Sequence, residues 1–184
     1  TAYVLEWGPS PMVPDVDTEY MALMMNGAAD AAAEAVGNAR EAEVAWCTGQ
    51  ARGVGGNRHD PETGRSDPEV GILAVRDRAT RRIFALSMVY SMHPTVLHED
   101  SRLVSSDFPH STREFLKKQI APDLVVLYHT GPEGNQSPRH HVTANTFEEA
   151  QRIGELLGAT VWESVRSLGD ADFSADPVIA SRMA

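Results

Sequence analysis

A chain of 184 residues with 42% hydrophobic and 23% charged side chains has the composition of an ordinary globular protein, long enough to bury roughly 70% of its unfolded surface in one domain. Its formal charge of -10, from 16 Lys and Arg against 26 Asp and Glu with no basic stripe, excludes a phosphate-backbone partner, so no nucleic acid is expected. No apolar run nears the roughly 20 residues of a transmembrane segment, and the single cysteine, Cys47, excludes an intrachain disulfide or a cysteine-based zinc site and reads as core packing.

Residues 1 to 16 carry three prolines and no clean period, which predicts an ordered arm bearing Tyr3 and Trp7. No targeting segment is visible there. Asp17 is a helix cap, the stripe Leu23, Met24, Ala28, Ala31, Ala32 and Ala35 is expected to be core, and Gly37-Asn38 stops the helix. Val44, Trp46 and Thr48 open an extended segment leading into the glycine-rich loop Gly53 to Arg58, which lacks the spacing of a phosphate-binding fingerprint. Arg58 to Pro68 reads as a polar surface loop. Val70 to Val75 and Ile83 to Tyr90 predict an antiparallel hairpin whose second strand runs into His93-Pro94.

Asp107-Phe108-Pro109 is a helix start with Phe115, Leu116 and Ile120 on one face. Leu124 to Tyr128 is a continuous apolar run, expected to be a strand buried on both faces and ending at His129-Thr130-Gly131. Thr146 and Glu149 form a capping box for a long helix with the stripe Phe147, Ala150, Ile153, Leu157, Val161 and Val165. Residues 178 to 180 suggest a final strand. The order of elements gives an α/β fold, a mixed β-sheet with flanking helices, over 1–184 as a single domain.

Two segments fall at strand exits, where open α/β sheets hold their ligands. One carries His93. The other is Gly131-Pro132-Glu133-Gly134-Asn135-Gln136-Ser137-Pro138, whose glycines let backbone N–H groups approach an anion or oxyanion beside Ser137. Ser137 also reads as a turn residue capping the backbone, and the chain has no Gly-x-Ser-x-Gly elbow. Of the seven histidines, His93, held between a strand and a proline, is the best candidate metal ligand, although no pair has zincin spacing. Asp107 combines a cap with a possible role in orienting a metal-bound histidine, and Arg58, leaving the glycine-rich loop, is placed to orient a carbonyl or carboxylate.

Five segments in order carry a resemblance: the Asn57-Arg58 loop, the strand Asp67 to Leu73, His93-Pro94, Ser105 to Pro109, and Gly131 to Pro138. Together, from about Asp17 to Val165, they resemble the middle of the catalytic domain of the neutral/alkaline, non-lysosomal ceramidases and of bacterial proteins that share that domain. The resemblance implies a zinc-dependent amide hydrolase. His93 would bind zinc, Ser137 would be the serine needed for amide hydrolysis, and Asp107 would be the acidic residue between them. Asn57, Arg58, Gly134 and Asn135 would line the substrate side.

By the same resemblance, a His-Thr-His segment with a further ligand would precede Thr1, and glutamate and tyrosine ligands would follow the last residue. The chain is thus expected to be an internal piece whose partner is the remainder of the domain, with weak zinc binding and little turnover unless neighbouring histidines improvise a site. The substrate is a small-molecule or lipid amide; the mostly polar loops leave ceramide itself open. Two other readings stand beside this one. The first is a non-catalytic member of the same fold that binds a ligand through the Gly131 to Ser137 loop, and the second is an interaction module using the arm around Trp7.

Overall fold

The computed structural model describes residues 16–98, 101–178 and 180. The arm with Tyr3 and Trp7 lies outside them, as does residue 179 of the strand expected at 178–180. The chain forms two compact units, Thr1–Arg40 and Glu41–Ala184.

The described part of the first unit is one helix, α1 (Thr18–Gly37). Asp17 caps it by accepting a 2.9 Å bond from the Tyr20 amide, as its sequence predicts. The apolar stripe is not core, however: α1 buries no residue, and Leu23 and Met24 are 69% and 51% exposed. A single helix cannot cover its own stripe, and the unit offers no second described element to do so.

The second unit is the α/β body. Its strands are β1 (Ala42–Gln50), β2 (Gly56–Asn57), β3 (Glu69–Asp77), β4 (Ile83–Tyr90), β5 (Val125–Thr130) and β6 (Gln136–Ser137), with helices α2 (Phe108–Gln119) and α3 (Phe147–Arg166). Four strands make a mixed sheet in the order β1-β3-β4-β5, antiparallel except for the parallel pair β4/β5. β2 and β6 form a separate antiparallel pair.

Period-two alternation sorts the sheet's faces. Val70, Ile72, Ala74, Leu86, Met88, Tyr90 and Val126 point into one core with Phe108 and Leu116 of α2 and Ile153, Leu157 and Val161 of α3. Cys47 packs against this core, and burial raises its thiol pKa. The opposite face shows Trp46, Val89, Val125 and Leu127 to solvent. The apolar run of β5 is therefore buried on one face only, because both helices of this unit cover the same side of the sheet. On the outer face the Trp46 ring lies over Gly71, where a Cβ would meet its Cη2 at 2.8 Å.

Arg76 is the one charged residue drawn deep into β3, and it is fully engaged. Its guanidinium donates to Glu43 and Asp170, both at 2.7 Å, and stacks 3.9 Å from the Phe173 ring centroid, fastening the segment after α3 to the sheet. Val44 and Ser174 exchange backbone bonds of 2.9 Å alongside it.

Helices α2 and α3 meet at unusually short range. The Gly154 carbonyl accepts from Thr112 Oγ1 at 3.0 Å, and a Cβ on Gly154 would stand 2.4 Å from the Phe108 carbonyl oxygen and 2.9 Å from the Thr112 amide. Backbone cannot yield as a flexible side chain does, so Gly154→Ala should push the helices apart. We expect a loss of about 1–3 kcal/mol, read from the urea midpoint at unchanged m-value.

At the start of α3, Thr146 accepts from the Glu149 amide at 3.3 Å, but the Glu149 carboxylate reaches back to the Thr143 amide at 3.1 Å rather than closing the box on Thr146. Its other partner is Arg152, which also donates to the His141 carbonyl at 2.7 Å, so this pair ties the loop after β6 to the helix. Arg152 foremost, then the Thr143 amide, pushes the Glu149 pKa down from 4.5 to about 2. A depressed carboxylate stabilises the fold above its unfolded pKa and loses that contribution as pH falls through its folded value. Comparing wild type with Glu149→Gln by denaturant titration, the gap should be constant above pH 4.5 and close on descent towards about 2.

Candidate functional site

Because β4 and β5 run parallel, with Tyr90 opposite Thr130, the segments that leave them emerge at the same edge of the sheet. Gly131 keeps them together, its amide donating to the Tyr90 carbonyl at 3.0 Å. A Cβ at Gly131 would stand 2.6 Å from Ser91 Oγ, so any larger residue there would displace that hydroxyl. The strand-exit histidine and the Gly131 to Ser137 loop are thus neighbours.

Their contact is direct. His93 Nδ1 lies 2.8 Å from the Gln136 carbonyl oxygen, and the His93 amide donates to the same oxygen at 3.3 Å. A carbonyl only accepts, so Nδ1 carries a proton and, in the neutral ring, Nε2 holds the free lone pair. Nε2 points to the Glu133 carboxylate, with Oε1 at 3.6 Å.

The glycine-rich loop arrives from the other side. β2 pairs with β6 so that Gly56 faces Ser137 and Asn57 faces Gln136, and the Arg58 amide donates to the Asn135 carbonyl at 2.8 Å. Asn57 Oδ1 accepts from the His59 and Asp60 amides, both at 3.0 Å, while its amide nitrogen and that of Asn135 donate to the Arg65 carbonyl. Both asparagines thereby spend their side chains on shaping the loops. A Cβ at Gly55 would collide with Met92 at 2.3 Å, another close approach of this loop to the β4 exit. Gly134 is different: a Cβ there would meet nothing within 4 Å.

Ser137 is 6% exposed, and its Oγ accepts from the Arg139 amide at 3.0 Å, the local turn bond expected of a serine before proline. The hydroxyl proton is left to donate elsewhere. Ser137 forms the wall of a cleft of ≈ 380 Å³ together with Arg58, Thr95, Leu97, His98 and Arg139. Two guanidinium groups and one apolar side chain give that cleft a polar, positive lining suited to a carbonyl or carboxylate oxygen.

Asp107 performs two tasks at once. Its Oδ1 caps α2 through the Phe108 amide at 2.7 Å, and its Oδ2 accepts from the Leu97 amide at 2.8 Å, pinning the segment that runs from His93 past the cleft. The histidine ring itself is oriented by the Gln136 carbonyl rather than by this carboxylate. Asp107 holds φ 55 and ψ -150, a region normally reserved for glycine, at a cost of order 1–3 kcal/mol offset by its hydrogen bonds.

Two further residues of the Gly131 to Pro138 loop meet the imidazole, and no spacing in the sequence singles them out. Gln136, 3% exposed, uses its side chain on Arg65, Asn135 and Asp67 and its carbonyl on His93. Glu133 faces the imidazole, and its second oxygen, Oε2, is buried with no hydrogen-bond partner. The only sequence signal for Glu133 is a carboxylate in an oxyanion-type loop, where a neutral residue would be expected.

His93 thus suits a metal by tautomer and orientation, yet among the described residues no three His, Cys, Asp or Glu side chains converge on one point. His140 caps the Arg58 carbonyl through Nε2 at 3.3 Å, and the partly buried His141 has its pKa lowered by desolvation and then by the charges of His140 and Arg152. Neither is grouped with His93 as a ligand set.

No protein-family model and no curated protein matches the sequence. Solved structures do share the fold. A ceramidase described as complexed with C2 superposes with a TM-score of 0.60 at 17% identity, and neutral ceramidase from Pseudomonas aeruginosa with 0.59 at 16%. Each match covers 70% of this chain and 23% of the ceramidase chain, so the sequence spans less than a quarter of either enzyme. The α/β body of this protein has the fold of a segment of the neutral ceramidases.

Proposed function

We propose that this chain is an internal part of a zinc-dependent amide hydrolase of the ceramidase type. The observation that carries the reading is the parallel exit of β4 and β5, which sets His93 beside the Ser137 loop within a ceramidase fold. His93 would hold the metal through Nε2, fixed in place by the Gln136 carbonyl. A bound zinc supplies Lewis-acid polarisation of a carbonyl and acidifies water.

The remaining chemistry belongs to the chain's own groups. Ser137, accepting from the Arg139 amide, keeps its O–H free to donate to an amide oxygen as charge develops on it. Arg58 lines the same cleft and orients the carbonyl, while Asn57 and Asn135 hold the loops that carry Arg58 and Ser137 through the Arg65 carbonyl; Gly134 leaves open space beside them on the substrate side. Asp107 positions the 93–97 segment without touching substrate. A cleft lined by two arginines accommodates the polar amide group of an N-acyl substrate; among the described residues Leu97 is the one apolar side chain lining it for an acyl chain.

The test uses zinc-supplemented protein and a short fluorogenic N-acyl amide. Ser137→Ala should lower kcat/KM by roughly 100-fold or more with zinc content unchanged, since one oxyanion donor is typically worth that much. His93→Ala should lose both zinc and turnover. Hydrolysis untouched by either substitution would refute the proposal, and ligand affinity lost in Ser137→Ala without any turnover in wild type would replace it with a binding role.

A further inference from the structure

The cleft beside Ser137 is a basic spot in an acidic protein. The chain has a formal charge of -10, and several of its arginines are held by carboxylates, Arg76 and Arg81 by Glu43 and Arg152 by Glu149 among them. Arg58 and Arg139 instead line one cleft, and among the described residues neither guanidinium pairs with a carboxylate and no acidic side chain lines the cleft. Arg58 Nε reaches the His59 imidazole at 3.3 Å, which leaves its terminal N–H groups to the cleft.

Both arginines are rooted in the same braced backbone. The Arg58 amide donates to the Asn135 carbonyl at 2.8 Å, and the Arg58 carbonyl accepts from His140 Nε2 at 3.3 Å, so residues 135–140 hold Arg58 from both sides. The Arg139 amide donates to Ser137 Oγ at 3.0 Å, and the His141 amide closes the turn on the Pro138 carbonyl at 2.7 Å. Ser137 and the two arginine stems thus share one piece of fixed backbone, which lowers the ordering cost a ligand must offset.

In the hydrolysis proposed above, Ser137 and Arg58 engage the amide oxygen. Arg139, Thr95 and His98, which line the same cleft, have no part in that chemistry. A guanidinium, a hydroxyl and an imidazole N–H can all donate, and an ionised carboxylate only accepts. The planar fork of an arginine matches a carboxylate with two parallel bonds. Leu97 alone offers little surface to a long alkyl chain, and ≈ 380 Å³ lies at the lower end of the range for small-molecule sites. The acyl side of an N-acyl amide is hydrocarbon, so an anionic group belongs on its amine side.

We propose that the substrate is an N-acyl amino acid or a similar small amide with a carboxylate on its amine side, and that Arg139 selects it. This rests on the reading of the cleft as the amide site of a hydrolase and names the class of amide it takes. Arg139 would bind the carboxylate, with Thr95 and His98 as further donors, while Arg58 and Ser137 stay on the amide oxygen.

The test compares N-hexanoylglycine with its neutral counterpart, N-hexanoylglycinamide, by calorimetry. Binding is measured in EDTA, so that no metal contributes to a preference for the acid. Wild type should bind the acid about 10-fold or more tightly than the carboxamide at low salt, and the gap should narrow as ionic strength rises. Arg139→Gln should bring the acid down to the affinity of the carboxamide and leave the carboxamide unchanged. Arg139→Lys should keep part of the preference, because the charge remains and the fork is lost. Arg166→Gln, whose guanidinium pairs with Glu163 on α3, should change neither. Equal affinity for the two compounds in wild type, no binding of either, or an equal loss of both in Arg139→Gln would each overturn the assignment. Hydrolysis is followed separately, on zinc-supplemented protein with a neutral fluorogenic amide. Turnover by a protein without acid preference would remove the carboxylate and keep the hydrolase. An acid preference carried by Arg139 in a protein that hydrolyses no amide would support the carboxylate site and refute the hydrolase.

Discussion

Parallel hydrogen bonding between β4 and β5 is the constraint on which the site depends. In an antiparallel pair, the segments leaving the two strands would part at opposite ends of the sheet, and His93 and Ser137 would be separated by the full length of a strand. Here the crossover through α2 returns the chain in the same direction, and two loops distant in sequence are delivered to one edge. Every polar contact in the site, from the Gln136 carbonyl on His93 to the β2/β6 pair, is built on that delivery.

The loops themselves are held by backbone and amide bonds more than by charge. Gln136 is the hub, because its buried side chain bonds Arg65 and Asp67 of the preceding loop and its own neighbour Asn135 while its carbonyl sets the imidazole tautomer. Asp107 does comparable work from below, at the cost of a backbone conformation that glycine would adopt more easily. Strain maintained by several hydrogen bonds is a feature of sites in which one orientation must be kept.

Much of the architecture could be read from the residues, because local rules and tertiary packing agree there. The hairpin of β3 and β4, the cap at Asp107, the helix after Thr146 and the mixed sheet follow from alternation, turn chemistry and capping. Failures occurred where burial is decided by what lies opposite. The stripe of α1 and the apolar run of β5 have the composition of core, but composition does not say which faces find a partner. The site was legible as two strand exits and a loop. The contact of Glu133 with His93 was not, because it is made by the meeting of two loops and not by any spacing. Nor does spacing reveal that the amides of Asn57 and Asn135, expected on the substrate side, both donate to the Arg65 carbonyl.

The two margins of the main sheet are unequal, and this bears on assembly. On the β1 side, Ser174 folds back on Val44 and Arg76 anchors the segment just before it through Asp170 and Phe173, which blunts that border. On the β5 side, the described residues include no strand beyond Val125–Thr130, and its outward amides and carbonyls flank the exposed Val125 and Leu127. A row of backbone donors and acceptors beside apolar side chains is a template for strand addition. Growth of this sheet, whether by another stretch of polypeptide or by unwanted self-association, would proceed from β5, next to the loop that holds Ser137.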